Sequence, residues 1–256
     1  MAGEVSSAAG VSVDGSRAAA ILDELAGDER YLPAGLRDWW SAYLPAHREH
    51  FLELLSLVEE SGGAGRLLDV GTFPGHFTIL VKRLGIEVAG VDLDPARAGG
   101  LWRAHGIDER QADVETEELP FESGSFGVVV LSEVLEHLRV NPIHALRECH
   151  RVTRAGGRLI ASVPNVSFQH RVQFLLGRDY QGDVVAAYEA LETRGHMGHF
   201  RLYTRREVVR MIERAGFRLL RARPAGELPG GRWRFTRYLG PHRNRFRSHL
   251  YLIAVR

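Results

Sequence analysis

The feature that most constrains this chain is an alternation. Between Arg66 and Asn165, short apolar runs rich in β-branched residues are spaced by segments with helical periodicity. RLLDVG (66–71) reads as a buried strand and GHFTILVKRLG (75–85) as a helix stopped by Gly85. EVAGVDLD (87–94) is a second strand, followed by a helix from Pro95, a residue suited to a first helical turn. A short third strand leads into Asp113, and FGVVVLS (126–132) is a fourth. A helix capped near Asn141 runs from Pro142 to about Thr153, and GRLIASVPN (157–165) is the fifth strand. Strands separated by helices imply βαβ units, and continuous apolar runs imply a sheet covered on both faces. The expected fold class is α/β, with a doubly wound, mostly parallel sheet.

The flanks fit around that sheet. Residues 1–17 are rich in Ala, Gly and Ser and are expected to form a flexible tail. Residues 18–63 are expected to form an N-terminal helical cap. It comprises a short helix, an aromatic segment with Tyr31, Trp39, Trp40 and Tyr43, and a long amphipathic helix opened by Pro45. Residues 64–256 form the main domain, in which 166–202 break the alternation and read as an insertion after strand five. TRREVVRMIERAG (204–216) is a helix, FRLLRARP (217–224) a sixth strand, and 225–247 a Gly-, Pro- and Arg-rich loop. SHLYLIAVR (248–256) is the last strand. No helix precedes it, so it is expected to run antiparallel to its neighbour.

Composition removes several classes. The single cysteine, Cys149, excludes an internal disulfide and a Cys-rich zinc site, and points to a cytoplasmic location. No apolar run approaches the roughly 18 residues of a membrane span, and the first residues lack the pattern of a secretory signal. From Arg218 to the end there are ten Arg and one acid, Glu227. That segment carries +9, and the remainder −8 of the overall +1. Such a basic segment favours anionic partners.

The densest motif is LLDVGTFPGHF (67–77): a strand ends in Asp69-Val70-Gly71, a short loop follows, and Gly75 opens a helix. Small residues there let backbone approach a ligand, and a helix start offers free N–H groups. The spacing is D-x-G-x-x-x-G, with Phe73 in the place of the middle glycine of a dinucleotide loop, and no P-loop lysine follows. Asp92 ends the second strand about 20 residues on, where an acid typically accepts hydrogen bonds from ribose hydroxyls. Asp94, just before Pro95, is the better helix cap. Asp113 ends the third strand on the same rim as Asp69 and Asp92.

With these residues the chain resembles the class I S-adenosylmethionine-dependent methyltransferases over 45–221 and in the final strand. LDVGTFPG is similar to their glycine-rich motif and VDLDP to their acidic second-strand motif. QADVETEELPFESGSFGVVVLSEVLEHL and RVTRAGGRLIASVPN are similar to the stretches that follow. Phe73 is the departure, placed where it bears on the methionine end of the cofactor. The resemblance implies S-adenosylmethionine as cofactor. Asp69, Gly71, Thr72, Phe73 and Gly75 would face its amino acid end, and Asp92 its ribose. Leu93 would lie beside the adenine, Asp113 and Val114 at the adenine amino group, and Ser132 or Glu133 would close the site.

For the acceptor, a hydroxyl needs a base or a metal to lower its pKa, whereas an amine does not. SEVLEHL places Glu133, Glu136 and His137 on one face if the turn is helical, and GHMGHFRLYT supplies His196 and His199. His144 and His170 fall in the same part of the chain. The E-x-x-E-H element with a later His is similar to two metal-dependent O-methyltransferase groups, one making ubiquinone, the other capping small RNA at its 2′-hydroxyl. Glu133, Glu136, His137 and His199 are the matching positions and would bind Mg²⁺ or Mn²⁺; a structural role for the turn is the competing reading. Without a metal, His137 or His199 would act as base, with Glu133 beside them. PNVSFQHRVQFLLGRDY with the later His element resembles members associated with glycan assembly. The expected activity is O-methylation of a saccharide, glycolipid or small secondary metabolite, an acceptor that can be anionic, by a chain that can form a homodimer. N-methylation of a small amine, 2′-O-methylation of RNA and a non-catalytic cofactor-binding subunit are the alternatives. Nucleic acid is not expected as partner, since no RNA-binding module is visible. The aromatic segment either packs the cap helices or lids the acceptor.

Overall fold

Seven strands form one sheet in the order β3-β2-β1-β4-β5-β7-β6. The strands are β1 (Leu67–Val70), β2 (Val88–Asp92), β3 (Asp108–Gln111), β4 (Phe126–Ser132), β5 (Thr153–Pro164), β6 (Arg218–Ala225) and β7 (His249–Val255). Around them are α1 (Gly15–Leu25), α2 (Ala34–Glu60), α3 (His76–Arg83), α4 (Gly99–His105), α5 (Pro142–Val152), α6 (Phe168–Leu175), α7 (Val184–Arg194) and α8 (Arg205–Arg214). The computed structural model describes residues 14–166, 168–177, 184–194, 198–225 and 248–256. Most of the tail expected over 1–17, His196 and the Arg-rich loop lie outside these residues. β1 pairs in parallel with β2, β2 with β3, and β7 runs antiparallel to β6. The sheet order reverses between β1 and β4, which makes the sheet doubly wound.

By internal packing the chain divides into two units. One holds Met1–Ala112, Pro120–Val130 and Val152–Arg158; the other holds Asp113–Leu119, Leu131–Arg151 and Leu159–Arg256. In the first, β1 and β2 are buried along their whole length, with Ile79, Leu80 and Val81 of α3 among the core residues. β3 is a sheet edge made of Asp, Glu, Arg and Gln, the charged composition that blunts an edge. In the second unit, Leu159–Val163 of β5, Val208 and Ile212 of α8, and Leu250–Ala254 of β7 supply buried side chains. Among the described residues no helix is long and apolar enough to cross a membrane.

Two local expectations are corrected. Pro45 does not open a helix; it lies inside α2, which begins eleven residues earlier at Ala34. Its ring removes one helical hydrogen bond, yet Trp40 and Leu44 before it, and Phe51, Leu54, Leu55 and Val58 after it, are all buried. Tertiary burial on both sides outweighs that loss. The segment after Asp94 begins as a 3₁₀ turn over Pro95–Ala98 before α4, so Pro95 starts a tight turn rather than the helix itself.

Candidate active site

In the first unit, β1 runs into the glycine-rich loop. Gly71 takes φ +79° while its N–H donates to the Val91 carbonyl at 2.8 Å, and Gly75, at φ +109°, starts α3. A Cβ on Gly75 would lie 2.7 Å from the Trp102 ring, so both backbone angle and space demand glycine there. Asp69 turns toward α3 and accepts a 2.6 Å bond from Thr78; burial pushes its carboxyl up to about 7. Asp92 is buried at the end of β2. It accepts from the Phe73 N–H at 3.1 Å, the Asp94 N–H at 3.0 Å and the Arg97 guanidinium at 3.0 Å. Phe73 lies between Trp39, stacked at 5.0 Å and 6°, and Arg97, 4.1 Å from its ring centre. Leu93, next to Asp92, is 63% exposed, an apolar side chain left bare on the rim.

The aromatic segment divides. Trp40 is fully buried, donates to the Leu25 carbonyl at 3.1 Å and stacks on His76 at 3.5 Å, so it packs α2. Burial pushes the His76 imidazole down to about 3. Trp39 instead lies half exposed on the glycine-rich loop through Phe73.

Glu109 on β3 is a residue the sequence reading passed over. It is hydrogen-bonded to Thr72 at 2.5 Å, and a Cβ on Gly90 would strike its carboxylate. Burial pushes it up to about 8; the Thr72 bond opposes the shift, while the charges of Asp69 and Asp92 add to it. Its Oε2 is buried with no hydrogen-bond partner. Nothing in an edge strand of four polar residues marks one carboxylate as inward-facing, so no pattern in the sequence could have singled it out.

In the second unit, Asp113 closes a turn. Its carboxylate accepts from the Glu115 N–H at 2.9 Å and the Thr116 hydroxyl at 2.9 Å, with Val114 partly buried within the turn. Ser132 and Ser162 hydroxyls are 2.9 Å apart, and Ser162 donates to Glu133 at 2.8 Å.

The chain leaves β4 through Glu133 at φ +54°, a left-handed conformation unusual for a side-chain-bearing residue. A single 3₁₀ turn, Leu135–His137, follows. The helical face expected for Glu133, Glu136 and His137 therefore does not form. Glu133 is directed to Ser162 and lies 3.6 Å from His249 Nε2, a β7 residue that the sequence reading did not select. Burial pushes Glu133 up to about 7.

Glu136, His137 and His199 do come together. Nε2 of each histidine lies 3.9 Å from Glu136 Oε1, and the two rings are 5.1 Å apart. The Phe200 and Arg201 N–H groups donate to the Glu136 carbonyl at 2.7 and 3.1 Å, which brings His199 to the turn across 63 residues. His137 donates Nδ1–H to the Gly198 carbonyl at 2.7 Å, so its Nε2 carries the lone pair. The Glu136 side chain is fully buried beside the Glu133 carboxyl, and neither oxygen meets a hydrogen-bond donor in good geometry among the described residues. Burial holds its carboxyl well above the usual range, and the charge of Glu133 adds to this. Burial pushes His199 down to about 4. His144 is taken up elsewhere: Asn141 caps its N–H, and its Nε2 bonds the Glu117 carbonyl at 3.0 Å.

A family of proteins described as a methyltransferase domain matches residues 39–222. That is well over half of the sequence. The chain belongs to this methyltransferase family. Its sheet is that of the class I S-adenosylmethionine-dependent members, as two solved structures illustrate. A methyltransferase from Archaeoglobus fulgidus aligns with a TM-score of 0.57 at 17% identity, over 82% of this chain and 94% of that one. One from Mesorhizobium loti aligns with a TM-score of 0.55 at 20% identity, over 80% and 96%. At these identities the likeness is one of fold. Among curated proteins, the ubiquinone biosynthesis O-methyltransferase of Pseudomonas paraeruginosa is 31% identical over 153 residues, 56% of this chain and 64% of that protein. Its counterpart in Xanthomonas oryzae pv. oryzae is 35% identical over 137 residues, 50% and 56%. The methyltransferase thus spans less than two thirds of the length of these relatives.

Membership implies S-adenosylmethionine as cofactor, and the first unit suits it chemically. The cofactor carries a sulfonium and an ammonium. The loop that would receive it is surrounded by Asp69, Asp92 and Glu109, of which Glu109 keeps an unpartnered buried oxygen. Removing carboxylates from water without a partner is costly, and a cationic ligand offsets that cost.

Proposed function

We propose that this methyltransferase transfers the methyl group of S-adenosylmethionine to a hydroxyl of a saccharide, glycolipid or small secondary metabolite. In this reading Asp69, Gly71, Thr72, Phe73 and Gly75 receive the amino acid end of the cofactor. Asp92 takes the ribose in exchange for Arg97, Leu93 covers one adenine face, Asp113 and Val114 meet the adenine edge, and Ser132 closes the site. The domain division of a helical cap over 18–63 and a main domain over 64–256, with its insertion at 166–202, belongs to the same reading.

The observation that carries the choice of oxygen is the Glu136, His137 and His199 cluster. An amine acceptor would need no such assembly, whereas a hydroxyl must be made acidic. The O-methyltransferase names of the curated relatives point the same way. Within the cluster, magnitudes favour a divalent cation over direct proton abstraction. At a separation of 3.9 Å, neither histidine hydrogen-bonds the carboxylate, yet the three ligand atoms lie within 4.8 Å of one another. An imidazole pushed down to about 4 is a weak general base near neutrality, but a neutral imidazole is what a metal takes. Glu136, His137 and His199 would hold Mg²⁺ or Mn²⁺, which when bound lowers the pKa of an alcohol oxygen. Gly198 fixes the His137 tautomer, and Glu133, aimed at Ser162, is left outside the ligand set.

Two measurements test this. Mn²⁺ titration followed by electron paramagnetic resonance should show saturable binding that Glu136→Gln removes. EDTA should abolish methyl transfer to a hydroxyl acceptor, and Mg²⁺ or Mn²⁺ should restore it. Mn²⁺ binding unchanged in the variant, with activity indifferent to EDTA, would overturn the metal and return the proton to a histidine.

A further inference from the structure

Within the second unit, α6 and α8 line a groove of about 630 Å³ that none of the Glu136, His137 and His199 side chains lines. Its walls are Arg171, Thr204, Arg205, Arg206, Val209 and Arg210. Four of these six residues carry a guanidinium. All four are exposed, and none forms a hydrogen bond or ion pair with another described residue. Glu207 is the one acid in the first two turns of α8, and it is engaged elsewhere. Its carboxylate closes the capping box with Thr204 at 2.8 Å and pairs with Arg201 at 2.8 Å. Arg205 and Arg206 also occupy the first turn of α8, where the helix dipole already presents positive charge and acids are the favourable residues. Residues 205, 206, 209 and 210 share one face by helical spacing, while Val208 and Ile212 are buried on the other.

Like charges gathered along one groove repel one another, and a bound anion offsets that repulsion. Guanidinium forks match phosphoryl oxygens in bidentate geometry, and four of them suit a diphosphate better than one carboxylate. The groove exceeds the size of an inorganic anion and falls in the range of organic-ligand sites. We infer that this groove binds a phosphoryl group, in the form of a mono- or diphosphate carried on an organic moiety. This extends the methyl-transfer reading to a second site and holds or fails independently of it, because it is read by direct binding. Phe174 and Leu175, exposed on α6 one turn beyond Arg171, make a lipid headgroup one source of that phosphate and a free phosphoester the other.

The test compares wild-type protein, Arg206→Glu/Arg210→Glu, and a charge-matched control, Arg103→Glu/Arg139→Glu. Calorimetry with inorganic pyrophosphate and with uridine diphosphate at physiological ionic strength is one arm. Sedimentation with vesicles of phosphatidylglycerol in phosphatidylcholine is the other. The groove variant is expected to lose about tenfold or more in affinity, the scale of a lost charged hydrogen bond. The control should keep its affinity, and S-adenosylmethionine should bind all three proteins alike, which also reports that they are folded. Selective loss in the calorimetric arm supports the site with a free phosphoester as ligand; selective loss in the vesicle arm alone supports it with a lipid headgroup. No saturable binding in either arm, or equal loss in the control, overturns it.

Discussion

The glycine-rich rim of the first unit and the histidine cluster of the second both rest on buried carboxylates, but they balance them differently. Asp92 has an internal cation: Arg97, five residues on, bonds it at 3.0 Å, and two backbone N–H groups also donate to it. Glu136 has none. Two imidazoles face it beyond hydrogen-bonding distance, the Glu133 carboxyl lies beside it, and no described donor bonds either oxygen in good geometry. A carboxylate with a built-in counter-ion can wait for a ligand and exchange partners when it arrives. A fully buried one without a counter-ion stays protonated or takes a cation from outside. On the proposed reading, the first arrangement suits a reversibly bound cofactor and the second a retained ion.

The largest effect that can break this comparison is expected at Glu136. Glu136→Gln should lower the rate of methyl transfer by about 10²–10⁴-fold, the range lost with proton-transfer assistance. Its affinity for S-adenosylmethionine should stay close to wild type. His199→Ala should fall in the same range, and the double variant should cost little more than either single one, as members of one assembly do. If either variant weakened cofactor binding as much as it slowed turnover, the two units would not divide the work this way.

A smaller effect is expected on the other side. Asp92→Ala should weaken S-adenosylmethionine binding by about 1–3 kcal/mol, the scale of hydrogen bonds to a charged group, while the protein stays folded. Arg97→Ala sharpens the comparison, since it removes the internal competitor for Asp92. Cofactor affinity measured by calorimetry should therefore rise or hold, not fall.

The smallest effect concerns pH. Glu109 is pushed up to about 8 from its usual 4.5, so the folded protein favours its protonated form. The stability this provides is fully present below about pH 4.5 and is lost as pH rises toward 8. Thermal melts of the cofactor-free protein should fall by a few degrees over that interval. Glu109→Gln should flatten the trend, and S-adenosylmethionine should stabilise wild type more at the alkaline end, where the ionised form meets a cation. A variant with an unchanged pH slope would remove Glu109 from the site.

The two regions were not equally legible. Asp69, Gly71, Gly75 and Asp92 could be placed from the sequence because strand, loop and helix follow one another directly, and parallel pairing brings successive strand ends to one rim. Glu136 and His137 lie in one short motif, but the turn that carries them is 3₁₀ rather than α-helical, and Glu133 before it takes a left-handed backbone and accepts from Ser162. His199 was a wager on long-range closure, realised through two N–H groups donating to the Glu136 carbonyl.

Local pattern determined what depends on local energetics. Strand and helix order, the parallel sheet with its antiparallel last strand, and the two glycines of the loop follow from periodicity and from backbone conformations open to few residues. Tertiary structure alone decided which polar side chains were taken out of water and what faced them. Pro45 stayed inside a helix because apolar residues on both sides of it were buried. Glu109, Ser162, His249 and, in the groove, Arg171 gained their meaning only from neighbours distant in sequence. Burial sets the cost of a charge, and burial belongs to the assembled fold, not to any stretch of sequence.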